Sequence, residues 1–170
     1  MTVATKFWVV AACLALAGCA PSEPPADPAP ATGPGFDSRD CNGITDADID
    51  EAVGAPMFEP AVVGDAGCFW QEDSVIGAVG LGMGISTWWY RGSDMDTERE
   101  LEARAGRTLT ELSIDGTKGF MAFDNTACSI YVAKDRDVIA WSIQTLNSAT
   151  LPDLCSIVEE LAQLSQQRVN

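Results

Sequence analysis

Four cysteines, Cys41, Cys68, Cys128 and Cys155, constrain what this chain can fold into more than any other feature. The chain has no histidine, so it lacks the commonest metal ligand and the usual general base. None of the four cysteines stands in a C-x-x-C spacing, so zinc is not expected to claim them. What is left is oxidation in pairs, and four cysteines allow three connectivities. Cys41–Cys68 with Cys128–Cys155 is favoured. Each of these pairs joins a helix to a strand, and nested local pairs form more readily than crossed ones. Each bridge would close a loop of about 27 residues, worth roughly 3–4 kcal/mol in the chain-entropy model.

Disulfides need an oxidising compartment, and the N-terminus reads as the address for one. Lys6 and the free amine give it a positive start, and Phe7 to Ala17 is an uncharged apolar run. A membrane-spanning helix needs about 20 such residues, so residues 1–18 read as an export signal. The run ends in Leu16-Ala17-Gly18-Cys19. This resembles the lipobox of bacterial lipoproteins, whose cysteine is acylated and becomes the first residue of the mature chain. Cys19 is therefore the expected lipidation site. Two or more acyl chains hold a protein firmly where one holds it marginally. The expected location is the extracytoplasmic face of the cell membrane, anchored by palmitate-like chains without spanning. Losing residues 1–18 leaves nine basic against 25 acidic residues, a formal charge of −16. That charge repels a polyanion, so no nucleic-acid partner is expected.

Residues 19–36 follow the signal as a Pro-rich tether, a composition that favours extended conformations over a packed core. One folded domain is expected over residues 37–170. Thr45/Asp48, Ser93/Asp96 and Thr150/Asp153 each place Ser or Thr three residues before Asp, a helix-capping signature. The first helix ends at Gly54 and the second runs to about Gly106. In the third, Leu154, Ile157, Val158, Leu161 and Leu164 share one face. Strands are expected at Phe69–Trp70, Val75 to Tyr90, Thr110 to Ile114, Gly119 to Phe123, Cys128 to Ala133 and Val138 to Thr145. The last two form a hairpin around Lys134-Asp135-Arg136-Asp137. The fold class is α+β: a two-layer sandwich of a mainly antiparallel sheet and about three helices, with two disulfides.

Three constellations invite chemistry. Asp46, Asp48 and Asp50 resemble the start of a calcium loop, but Glu51 and Met57 stand where that loop needs Gly and a Glu ligand. Helix capping is the better reading, and no metal is expected. Gly77, Gly80, Gly82 and Gly84 resemble a phosphate loop, yet they fall among Val79, Leu81, Met83 and Ile85 with period two, which means a strand. Its apolar face, Val79, Leu81, Met83 and Ile85, belongs in the core. Its bare face, Gly80, Gly82 and Gly84, continues into Trp88 and Tyr90. A bare strand face lets another backbone or a flat group come close, so it is either covered by this chain or forms a groove for a sugar or an apolar chain. Finally, a Ser–Lys dyad could draw only on Lys118 or Lys134, with no motif around either.

The lipobox, the Pro-rich tether, Cys41-Asn42-Gly43-Ile44-Thr45, Gly67-Cys68-Phe69-Trp70, Ala127-Cys128-Ser129-Ile130-Tyr131-Val132 and Leu154-Cys155-Ser156-Ile157-Val158 together resemble the actinobacterial envelope lipoproteins that carry the domain of unknown function 3558. The resemblance covers roughly residues 41–169. It implies secretion and two disulfides, and it brings no catalytic residue and no cofactor. The expected function is a non-enzymatic binding or interaction module of the cell envelope. Its partners would be the membrane, through Cys19, and an envelope protein or small ligand. A lipid or small-molecule carrier with an apolar cavity is the second reading. A hydrolase working with paired carboxylates is the third.

Overall fold

The computed structural model describes residues 38–73, 82–146 and 153–169, all within the unit Gly33–Asn170. The segments expected to be the export signal and the tether, with Cys19, lie outside the described residues, as do Gly77, Val79, Gly80, Leu81 and Thr150.

A 3₁₀ segment, Ser38–Gly43, leads into α1, Asp46–Val53. Thr45 caps α1 with a complete capping box to Asp48, and Gly54 ends it in the left-handed region at φ 83°. Then come β1 (Val62–Val63), β2 (Gly67–Gln71) and β3 (Gly84–Tyr90). Helix α2 (Met95–Arg104) precedes β4 (Thr108–Ile114), β5 (Thr117–Phe123), β6 (Ala127–Lys134) and β7 (Asp137–Gln144). Helix α3, Leu154–Val169, closes the fold. The seven described strands form one antiparallel sheet in the order β1-β2-β3-β7-β6-β5-β4. None of the described helices is long and apolar enough to cross a membrane.

Alternation in the strands decides which face each side chain takes. Ile85, Ile130, Val132, Ile139, Trp141 and Ile143 point to one face and are buried there under α1 and α3. Trp70 stacks near Trp141, with ring centroids 6.3 Å apart. The α3 stripe is as expected: Leu154, Ile157, Val158 and Leu161 are buried, and Leu164 packs beside them. Met83 also reaches this core. On the opposite face, Phe120, Ala122, Tyr131, Val138 and Ala140 form a second cluster with Met95 of α2, Tyr90 and Leu109. Helices therefore lie against both faces, α1 and α3 on one and α2 on the other, so the arrangement does not establish the expected two layers.

Both disulfides pair as expected, Cys41–Cys68 and Cys128–Cys155. The first secures an unusual turn. Cys41, Asn42 and Gly43 all have positive φ, 52°, 57° and 77°, a region that is unfavourable for residues with a side chain. Three polar contacts and the bridge hold it. Asn42 Nδ2 donates to Thr87 Oγ1 at 2.7 Å, Ser165 Oγ donates to the Asn42 carbonyl at 2.8 Å, and Arg168 Nη1 donates to the Gly43 carbonyl at 2.7 Å. Two carboxylates of the calcium-like run, Asp46 and Asp48, are occupied structurally. Asp46 accepts from the Trp70 indole at 2.8 Å, and Asp48 accepts from Arg168, which holds its carboxyl well below the usual carboxylate range.

Three expectations need correction. The strand expected from Val75 to Tyr90 is seen as β3 from Gly84 onward; Gly82, at φ 62°, stands outside the extended run expected of it, and residues 74–81 lie outside the described residues. The second helix is capped by Asp94, not Ser93: Asp94 Oδ1 accepts from the Thr97 amide at 2.8 Å. The third begins at Leu154, where Asp153 Oδ1 accepts from the Cys155 amide at 3.1 Å, so Asp153 supplies the cap rather than the third position of a box.

Candidate functional site

The described residues cover the face of the sheet away from α1 and α3 only in part, and strand register builds a cleft on it. Antiparallel pairing sets residues side by side in rows across the strands. One row runs Phe69, Ser86, Ser142, Ser129, Ala122 from β2 to β5. The next runs Gly67, Trp88, Ala140, Tyr131, Phe120. A third runs Gln71, Gly84, Gln144, Ala127. The middle of this surface is thus floored by small side chains and bordered by large ones. The resulting cleft has a volume of about 320 Å³, at the lower end of small-molecule sites. Phe69, Trp88, Tyr90 and Tyr131 wall it, Ser86, Ser129, Ser142 and Ala140 floor it, and Gln144, Glu102 and Arg107 reach its margin.

Gly84 has a definite task here. A Cβ on it would lie 3.0 Å from Cε2 of Phe69, so its bareness lets the Phe69 ring lie down on the sheet. Trp88 is the exposed wall, 39% accessible.

The floor carries a directed chain of hydroxyls. Arg107 Nη1 donates to both Glu102 carboxylate oxygens at 3.1 Å and to Ser129 Oγ at 3.0 Å. A guanidinium can only donate, so Ser129 accepts and turns its own proton to Ser142 Oγ at 2.9 Å. Ser142 in turn has a proton to give, on the cleft side of the sheet beside Ser86. Glu102 also accepts from the Tyr131 hydroxyl.

Tyr131 stacks on Phe120, centroids 4.6 Å apart, and on Tyr90, 6.5 Å apart. Burial and the Glu102 carboxylate push Tyr131 well above the ordinary tyrosine range, and burial with Glu98 and Glu102 raises Tyr90. These are the two tyrosines of the chain, so phenolate absorbance reports on this wall alone. Both folded values exceed the unfolded one, so the native state holds these protons more tightly and stability falls as pH rises above 10. The expected titration shows less phenolate at pH 10 in the native protein than in the urea-unfolded chain, the difference being removed when the fold is lost.

Of the groove residues expected from sequence, Gly84, Trp88 and Tyr90 line this cleft. Gly82 does not. It lines a neighbouring depression of about 640 Å³ beside Leu146, and it has left the strand whose bare face it was expected to share. Gly80 lies outside the described residues. Phe69, Ser86, Ser129, Ser142, Gln144, Tyr131, Glu102 and Arg107 were not anticipated. One signal was available. In β7, Ala140, Ser142 and Gln144 alternate with Ile139, Trp141 and Ile143, so the second face of a central strand is small and polar.

The chain is 28% identical over 165 residues to the Mycobacterium bovis protein named Putative lipoprotein LprB, covering 89% of this chain and 86% of that one. The Mycobacterium tuberculosis protein of that name matches with the same identity and coverage. The Mycobacterium leprae protein of that name is 27% identical over 131 residues, covering 74% and 67% of the two chains. No solved structure matches. The model of the family described as Protein of unknown function (DUF3558) matches residues 14–168, and the chain belongs to that family.

Proposed function

We propose that this protein is an envelope lipoprotein, anchored through Cys19 on the extracytoplasmic face of the cell membrane, that binds a small ligand in the sheet-face cleft without transforming it. The observation that carries the binding reading is the cleft itself: a floor of small residues on three central strands, walled by aromatic side chains. A sheet face left open in this way on a domain stapled by two disulfides is a rigid platform, the form in which binding sites lose least entropy on occupation. The anchoring reading rests on Leu16-Ala17-Gly18-Cys19 and on relatives named as lipoproteins.

The same geometry speaks against turnover. Glycoside hydrolysis uses two carboxyl groups across the substrate, and the described lining contains one, Glu102, held by Arg107 and Tyr131. Ser129 takes a hydrogen bond from a guanidinium rather than giving its proton to a base, the reverse of what a nucleophile needs. The carrier reading with an apolar cavity is less well supported, because the floor is hydroxylated.

Anchoring is tested by Cys19→Ala. The variant is expected in the soluble fraction, while the parent stays with membranes after a high-salt wash; a variant that stays with the membranes refutes the lipid anchor. Binding is tested by native mass spectrometry of the full chain. A co-purified small molecule should disappear in Ser86→Phe, which fills the floor, with the melting temperature retained. Retention of that molecule by a folded Ser86→Phe protein refutes the cleft as the site.

A further inference from the structure

We infer that the ligand of this cleft is a neutral carbohydrate, one or two sugar rings in size, stacked on Trp88 and hydrogen-bonded by the serine row. This rests on the cleft being the binding site and assigns its ligand class. Three observations select it.

The first is the floor. Ser86, Ser142 and Ser129 form one continuous row on adjacent strands. An acyl chain laid on that row would strip water from the half-buried Ser86 and Ser142 hydroxyls and return no hydrogen bonds, which costs free energy at each group. A polyhydroxylated ligand replaces that water partner for partner.

The second is direction. The order Arg107 to Ser129 to Ser142 leaves Ser142 with a proton to donate, so the floor offers a donor to a ligand oxygen. Gln144 beside it carries both an amide donor and a carbonyl acceptor. A sugar carries both roles on neighbouring carbons.

The third is charge. The ionised groups of the described lining are Glu102 and Arg107, paired with each other at 3.1 Å. The guanidinium Nη2 is shut off from solvent. Neither sign is on offer, and in a chain of formal charge −15 an anionic ligand is repelled from the whole surface. The exposed Trp88 face supplies what a neutral ring needs, a flat apolar surface for its C–H groups. A volume of about 320 Å³ limits the bound part to one or two rings.

The experiment titrates the full chain, purified in a detergent without a sugar headgroup, with maltose, cellobiose, lactose and chitobiose, and in parallel with octanoate and inorganic phosphate. Calorimetry and tryptophan fluorescence are the readouts. Saturable binding of at least one disaccharide is expected, with neither octanoate nor phosphate competing. Trp88→Ala should weaken it by roughly tenfold or more, about 1.4 kcal/mol, and Ser142→Ala by a smaller factor, both with unchanged melting temperature. Binding of octanoate or phosphate with none of the disaccharides overturns the carbohydrate assignment and leaves the cleft as a binding site. Disaccharide binding indifferent to Trp88→Ala and Ser142→Ala overturns it as well, by placing the sugar elsewhere. Absence of binding by any probe, while Ser86→Phe still displaces a co-purified molecule, overturns the sugar class alone. Loss of both results overturns the cleft reading too.

Discussion

Replacing Cys128 and Cys155 together by Ala is expected to lower stability by roughly 3.5 kcal/mol, and replacing Cys41 and Cys68 by somewhat more. Each bridge spans 27 residues, and a loop of that length restricts the unfolded chain by about this amount in the entropy model. The two bridges differ in what they hold in the native state. Cys128 sits in the middle of the sheet and Cys155 in the first turn of α3, so that bridge fastens a helix that already buries Leu154, Ile157, Val158 and Leu161. Cys41 lies inside the left-handed turn, whose conformation is unfavourable by about 1 kcal/mol or more at each residue that carries a side chain. Without the bridge to Cys68, Asn42 has less to keep it against Thr87 and Ser165. Together the bridges contribute about 7 kcal/mol, comparable with the whole stability of a domain this size. Urea unfolding of each double variant should show a lower midpoint and, because the unfolded chain is less restricted, a somewhat steeper slope, and the quadruple variant should be largely unfolded. A midpoint unchanged on removing the Cys41–Cys68 bridge would show that the turn is self-supporting.

How much of this was legible in the sequence depends on how local the signal is. The capping box at Thr45/Asp48 and the terminating Gly54 involve residues within one helical turn of each other, and both formed as read. The α3 stripe is equally local. The Asp135-Arg136 turn between β6 and β7 follows from polar residues between two apolar runs, with Asp135 at φ 52°. The disulfide pairing was reachable because each partner closes a short segment. Two errors were shifts of a cap between neighbouring residues, at Asp94 and Asp153; the third arose where one element had to be read past a glycine. A run of period two continues through Gly82 on paper, but a residue without Cβ adopts positive φ freely, and there the chain turned.

The cleft was legible only in part, for a different reason. Trp88, Tyr90 and Gly84 share a strand, so alternation alone put them on one face. Ser86 lies on that face too, but what makes it part of a site is Ser142 opposite and Ser129 beyond. That row depends on β3 pairing with β7 across the long stretch of chain between them. Arg107 is more distant still. It belongs to the site because α2 lies against the second face and releases the chain through Gly106, at φ 81°, so that Arg107 reaches Ser129. No spacing in the sequence encodes that encounter.

That encounter carries the second large expected effect. Arg107→Met should destabilise the protein by about 2–3 kcal/mol, below the 3–5 kcal/mol typical of a fully buried pair, because 12% of the Arg107 side chain and 13% of the Glu102 side chain are accessible. The loss is not the attraction alone. Glu102 keeps the Tyr131 hydroxyl but loses both guanidinium bonds, Asp124 loses an ionic neighbour at 3.6 Å, and Ser129 loses its donor. Most of the cost is therefore a carboxylate left without its counter-charge. Removing that carboxylate as well, in Arg107→Met/Glu102→Met, should recover much of the stability, because an ion pair replaced as a whole by apolar groups of similar volume is often tolerated. Urea midpoints of the two single variants and the double variant complete a thermodynamic cycle. A double variant no more stable than Arg107→Met would mean that Arg107 acts through packing on the sheet and not through its charge. Recovery in the double variant, with disaccharide affinity still reduced, would separate the two tasks of this arginine: it neutralises Glu102 for the fold, and it sets the direction of the serine row for the ligand.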